Sequence, residues 1–172
     1  MDGAATGIKP RPGPLNFTAN RLLYAGIDLQ GYTAMENRIC PFSATLVKDD
    51  FGCHHASQIV RRGGAEIACA SASDHQRCMA LLQAFKAVAL PAFEVSDDLT
   101  QMPHSVLVKI QFGGLLGLQR SMHPDNAAGA TVSDIATLVD AAEKQYTSIS
   151  AVPCASRVAD MTSHKLSRRR RR

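Results

Sequence analysis

The stretch AEIACASASDHQRCMALLQAFKAVALP, residues 65–91, sets a strand pattern directly against a helix pattern, and its reading decides the fold class. In residues 65–70 side chains alternate across a pleat, so Ile67 and Cys69 fall on one face of an extended segment. The period then changes. Cys78, Leu81, Leu82, Phe85, Val88 and Ala89 recur three and four residues apart, which draws one apolar stripe along a helix. Ser73 with Gln76 has the form of a capping box, and Asp74 suits the positive first turn. Pro91, which lacks an amide donor and clashes with the preceding turn, ends the helix. A strand feeding once into an amphipathic helix, with no internal repeat, predicts a small single α+β domain with a few short strands and two main helices.

Working outward, Arg61-Arg62-Gly63-Gly64 reads as a turn ahead of the strand, and the short segment 56–60 admits either strand or helix. Residues 43–48 predict a short strand with Thr45 and Val47 on one face and Leu46 on the other, closed by the turn Asp49-Asp50-Phe51-Gly52. Beyond the helix, Val106, Val108, Ile110 and Phe112 alternate through residues 105–112, which predicts a strand stopping at Gly113-Gly114. A second helix is expected over residues 131–146, with Ile135, Leu138, Val139 and Ala142 inward and Thr131 or Ser133 as its cap. Residues 1–20, rich in Gly and Pro, predict a flexible arm, residues 21–148 the globular domain, and residues 149–172 a flexible basic tail.

Composition narrows the function classes. The chain has 172 residues and is 45% hydrophobic, enough for one real core, but aromatic residues make up only 5% and tryptophan is absent, which speaks against base-stacking platforms. Five of its nineteen basic residues form the run Arg168 to Arg172; the remaining fourteen face fifteen acidic residues, so the body carries no excess positive charge. A contact with nucleic acid or another polyanion is therefore expected only through that run, whose ordinary behaviour is that of a solvated tail. No segment reads as a signal peptide, and no apolar stretch approaches the roughly 20 residues of a membrane span. The expected setting is the cytoplasm, where clustered cysteines are more often ligands or redox groups than disulfides.

Cysteine is the chemically distinctive residue. Cys40, Cys53, Cys69 and Cys78 fall within 39 residues, and the rest of the chain holds only Cys154. Four thiolates are the usual complement of a tetrahedral zinc or an iron–sulfur cluster. The spacing Cys40-x12-Cys53-x15-Cys69-x8-Cys78 contains no close pair of the Cys-x2-Cys kind, so the four must come from separate elements that only a fold can gather. Wide, irregular spacing favours an iron–sulfur centre, with zinc as the alternative. Cys40 precedes Pro41 and Cys53 follows Gly52, positions where backbone amides can face a ligand, while Arg61, Arg62 and Arg77 are available to offset negative charge. Against this, Cys78 on the apolar stripe and Cys69 beside Ile67 are also explained as buried, unmetallated thiols.

The sequence thus predicts an electron carrier or accessory subunit, with a protein partner in a redox system. The alternatives are a zinc-stabilised module whose arginine run contacts nucleic acid or an acidic partner, and a thiol enzyme using Cys53. His54 and His55 diverge from one another, so at most one is expected to join Cys53 in the centre, and His75 points elsewhere. Cys154 is expected to be exposed and inert. Asp49-Asp50 and Asp97-Asp98 read as solvated turns, Gly113-Gly114-Leu115-Leu116-Gly117 as a tight turn, and His104 as a surface or capping residue. No hydrolase elbow or metalloprotease helix motif occurs.

Overall fold

A computed structural model describes residues 37–47, 51–96, 102–126 and 129–166. Their order is α1 (Ser43–Leu46), β1 (Ala56–Arg61), β2 (Gly64–Cys69), α2 (Ala72–Ala89), α3 (His104–Met122), α4 (Ile135–Tyr146) and α5 (Val158–Ser163), with one 3-10 turn after α2, one after α3 and two between α4 and α5. This is the expected small α+β domain. The arm 1–20, the arginine run 168–172 and the acidic pairs Asp49-Asp50 and Asp97-Asp98 lie outside the described residues.

The two strands form one antiparallel hairpin in which Ala56 faces Cys69 and Arg61 faces Gly64. Gly64 turns the chain at φ +122°, a conformation that a side chain would strain. The free edge of β2 is covered by the segment before α1: the Cys40 amide donates to the Ile67 carbonyl and the Cys69 amide to the Arg38 carbonyl, both at 2.8 Å. Segment 56–60 therefore resolves as strand.

Helix α2 forms where the apolar stripe predicts, but its cap is Ser71 rather than Ser73: the Ser71 hydroxyl accepts the Asp74 amide at 3.2 Å. Helix α4 is likewise capped by Asp134, which accepts the Ala136 amide and the Thr137 hydroxyl, and not by Thr131 or Ser133. Of the strand expected over residues 43–48, residues 43–47 are described and differ from it, and residue 48 lies outside the described residues. There α1 closes a helical turn after Pro41, with the buried Thr45 hydroxyl donating to the Phe42 carbonyl at 2.7 Å.

The largest departure is at residues 105–112, which belong to α3, not to a strand. From Ile110 to Gln119 every residue of α3 is buried, because α1, α2, α4 and α5 all pack on it. A helix buried all round has no polar face to impose a 3.6-residue period, and its β-branched residues imitate alternation. The glycines expected to form a turn are packing positions on this helix. A Cβ on Gly113 would lie 2.4 Å from the Met161 Cα of α5, and one on Gly114 would lie 2.6 Å from the Phe85 ring of α2. On the same side as Gly113, Gly117 admits Arg157 and Asp160.

Residues 149–163, expected from the sequence to start a tail, fold back onto the helices: the turn Ile149–Ala151 packs on α2 and α4, while Cys154–Arg157 and α5 pack on α3. Ile149, Val152, Cys154, Arg157 and Met161 are buried, and Arg157 donates to the Ser121 hydroxyl of α3 at 2.5 Å. Among the described residues no helix is long and apolar enough to cross a membrane.

Candidate functional site

The four clustered cysteines come from four places in the chain, near enough for charge on one to act on another. Cys40 ends the edge segment beside β2, Cys53 follows the turn at Gly52, Cys69 closes β2, and Cys78 lies in the second turn of α2. Cys40, Cys69 and Cys78 are buried and Cys53 is half-buried; none is in a disulfide. Burial pushes the Cys40 thiol up to about 12 and lifts the other three above the ordinary thiol range. They also lie within one another's electrostatic reach: charge on Cys40, Cys53 or Cys69 opposes ionisation of Cys78, and charge on Cys53 or Cys69 opposes that of Cys40.

Three of the sulfurs share a local device. The amide two residues downstream faces each of them: Phe42 at Cys40, His55 at Cys53 and Ser71 at Cys69. Cys53 faces a second amide, that of Ala136 in the first turn of α4, where the helix dipole also favours negative charge. Amides so placed oppose the burial penalty and favour an anionic sulfur. As a neutral thiol, Cys69 donates instead to the Ser71 carbonyl at 3.2 Å. Cys78, inside a helix whose amides are already paired, has no such device.

Backbone pairing holds these turns. Gly52 donates to the Val132 carbonyl and accepts from the Ile135 amide, both at 2.9 Å, which joins the Cys53 turn to the start of α4. A Cβ on Gly52 would sit 2.2 Å from the Ser133 carbonyl oxygen, so only glycine fits. At Cys40 the Gln111 side chain of α3 donates to the Pro41 carbonyl at 2.8 Å.

The neighbouring polar groups differ from expectation in instructive ways. His54 and His55 have rings 4.0 Å apart, and each turns to a carboxylate: His54 Nδ1 lies 2.6 Å from Asp134 Oδ2 and His55 Nε2 lies 3.1 Å from Asp74 Oδ2. His75 Nε2 lies 3.0 Å from the carbonyl of Ile39, the residue before Cys40. Arg77 does not offset the thiols, because Asp74, Asp140 and Glu143 already surround it. Arg61 pairs with Glu66 on the hairpin. The cation that does favour an anionic sulfur is Arg38, which acts on Cys69 and has no distinguishing signal in the sequence. It sits in a stretch without periodicity, and only the edge pairing brings it to Cys69.

Cys154, expected to be exposed, is instead buried at 5% exposure among the C-terminal turns, with Arg157 as its charged neighbour. Among the described residues no group of three or more His, Cys, Asp or Glu is arranged to hold a metal ion as the side chains stand. No family model, curated protein or solved structure matches the chain.

Proposed function

We propose that Cys40, Cys53, Cys69 and Cys78 are the ligands of one iron–sulfur cluster, and that the protein is a cytoplasmic electron carrier or accessory subunit acting beside a protein partner in a redox system. The observation that carries this reading is the convergence of four thiols from four elements, each within electrostatic reach of others, with backbone amides facing three of the sulfurs. Apolar cores do not need amides aimed at sulfur, whereas metal-bound thiolates and cluster sulfides are stabilised by them.

The wide, irregular spacing of the four cysteines along the chain favours a cluster over a single ion. Four sulfurs on one tetrahedral zinc stand only about 3.8 Å apart, given zinc–sulfur bonds of ~2.3 Å. A cluster places several irons and sulfides between its ligands and so accepts a wider thiol set. Five free cysteines also accord with a reducing compartment. A nucleophilic role for Cys53 has burial against it, since reactivity requires a lowered thiol pKa and this one is raised.

The test is anaerobic purification followed by stepwise reduction and reoxidation under visible spectroscopy. An absorption that bleaches on reduction and returns on oxidation is the expected result. Stoichiometric zinc without sulfide would turn the site into a structural centre and move the function to partner contact, including contact through Arg168 to Arg172. A protein that stays colourless after reconstitution with iron and sulfide would sink the proposal.

A further inference from the structure

We infer that the outer edge of β1 is a self-association surface, on which a second copy of this chain adds its own β1 antiparallel to the first. The backbone bonding fixes which way each residue of the hairpin faces. On β2, the Ile67 carbonyl and the Cys69 amide are taken by the Cys40 amide and the Arg38 carbonyl, so those two residues face the segment before α1. Alternation then turns Glu66 and Ala68 toward β1, where they stand opposite Ile59 and Ser57. The Ala70 amide, on the His55 carbonyl at 2.9 Å, keeps the same phase. The amides and carbonyls of Gln58 and Val60 therefore point away from β2, and among the described residues no backbone group pairs with them. One edge of this small sheet is closed by residues 38–40, and the other is open.

An open edge is a template for another strand, and proteins ordinarily blunt it with charge, proline or a bulge. Residues 56–60, Ala-Ser-Gln-Ile-Val, carry neither charge nor proline, and the register runs without a bulge from Ala56 to Arg61. Val60, at 84% exposure, lies on this edge and is the most exposed large hydrophobic side chain among the described residues. The occupant must supply an extended, uncharged backbone, and a second β1 does so. Two-fold pairing through the outward groups can be centred at Gln58, Ile59 or Val60. A centre at Gln58 sets Val60 against Ala56, whose amide is already committed to the Cys53 carbonyl at 3.0 Å. A centre at Val60 runs the pairing into the turn at Arg62. The centre at Ile59 calls only on Gln58 and Val60, each exchanging backbone bonds with the other residue of the second copy. It also sets Arg61 opposite Ser57 of the second copy, so that no like charges meet, and covers each Val60 with a Gln58 side chain.

The test uses the full chain as wild type, Gln58→Pro and Val60→Lys, in reductant so that its five free cysteines cannot link copies. Gln58→Pro removes an outward amide that takes no part in the ladder to β2, and Val60→Lys puts a charge on the edge. Sedimentation equilibrium over a concentration series is expected to show wild-type monomer in equilibrium with dimer, and a dissociation constant at least about tenfold higher in each variant. Far-ultraviolet circular dichroism serves as the fold control. Residue-resolved amide exchange is expected to show protection at Gln58 and Val60 that rises with protein concentration, beside an Ile59 amide protected throughout. If Gln58→Pro fails to fold, Val60→Lys decides alone. A dimer that Val60→Lys leaves unchanged would overturn the proposal, because it forms through another surface. A wild-type chain monomeric at every concentration, with fast exchange at Gln58 and Val60, would overturn it and leave the edge to a different partner. Protection of those two amides in the dilute monomer would overturn it as well, by showing the edge closed within one chain.

Discussion

Cys78 and Cys154 are both buried thiols whose ionisation burial opposes, and exposure alone does not separate them. Their neighbours do. Cys78 senses three other thiols, whereas the charged group beside Cys154 is an arginine. Serine at Cys40, Cys53, Cys69 or Cys78 is therefore expected to cut bound iron per chain to a small fraction of wild type, and serine at Cys154 to leave it unchanged, as read by colorimetric iron assay. Equal loss at all five positions would argue for general unfolding and against a centre. Gly52→Ala provides a second residue-scale check without touching sulfur. The added methyl meets a backbone carbonyl that cannot rotate away, so the Cys53 turn must shift. The expected result is iron loss together with about 1–3 kcal/mol of destabilisation in a denaturant titration.

At the scale of elements, two contacts hold the domain around the site. The first is the glycine face of α3, where Gly113 touches α5 and Gly114 the Phe85 ring. Gly113→Ala is expected to lower stability by roughly 1–3 kcal/mol, because the obstructing atoms are backbone and overpacking there forces the two helices apart. Urea midpoints measure it, and an unchanged midpoint would contradict the packing. The second contact joins α2 to α4 through Arg77 and the carboxylates of Asp74, Asp140 and Glu143. The Ser71 hydroxyl, outweighing burial, and then Arg77 hold the Asp74 carboxyl below its ordinary value of 3.8; Lys144 and Arg77 do the same for Asp140. Because both folded-state values are depressed, the stabilisation is fully present above about pH 4 and is lost as pH falls through the depressed values. Arg77→Met should accordingly lower Tm near neutral pH and narrow its gap from wild type as the solution is acidified below about pH 4. A gap independent of pH would show that the ion pairs contribute nothing.

Across the whole molecule, legibility in the sequence follows the elements with one solvated side. Helices α2 and α4 have polar faces, so their stripes are visible, and the strand ending at Cys69 sits beside a glycine turn that marks it. Their caps are harder to place because Ser, Thr and Asp crowd the start of each helix, and only geometry selects Ser71 and Asp134. Helix α3 is hidden by its own centrality, since burial on every side erases the period and its packing glycines look like turn residues. The C-terminal segment resembles a tail because its few apolar residues, such as Val152 and Met161, are spaced across turns instead of along one helix. In the candidate site, ligand chemistry points to the four cysteines, while the Ala136 amide at Cys53 and Arg38 beside Cys69 are brought in by long-range pairing that no local pattern encodes.

A shared centre on four cysteines makes the central claim a stoichiometric one. Iron and acid-labile sulfide should therefore be assayed together per chain on anaerobically reconstituted protein, with Cys154→Ser carried alongside. The account predicts iron and sulfide in comparable, stoichiometric amounts in both proteins. Iron and sulfide absent from the wild-type chain, or bound in equal amounts after Cys40, Cys53, Cys69 and Cys78 are all replaced by serine, would contradict it.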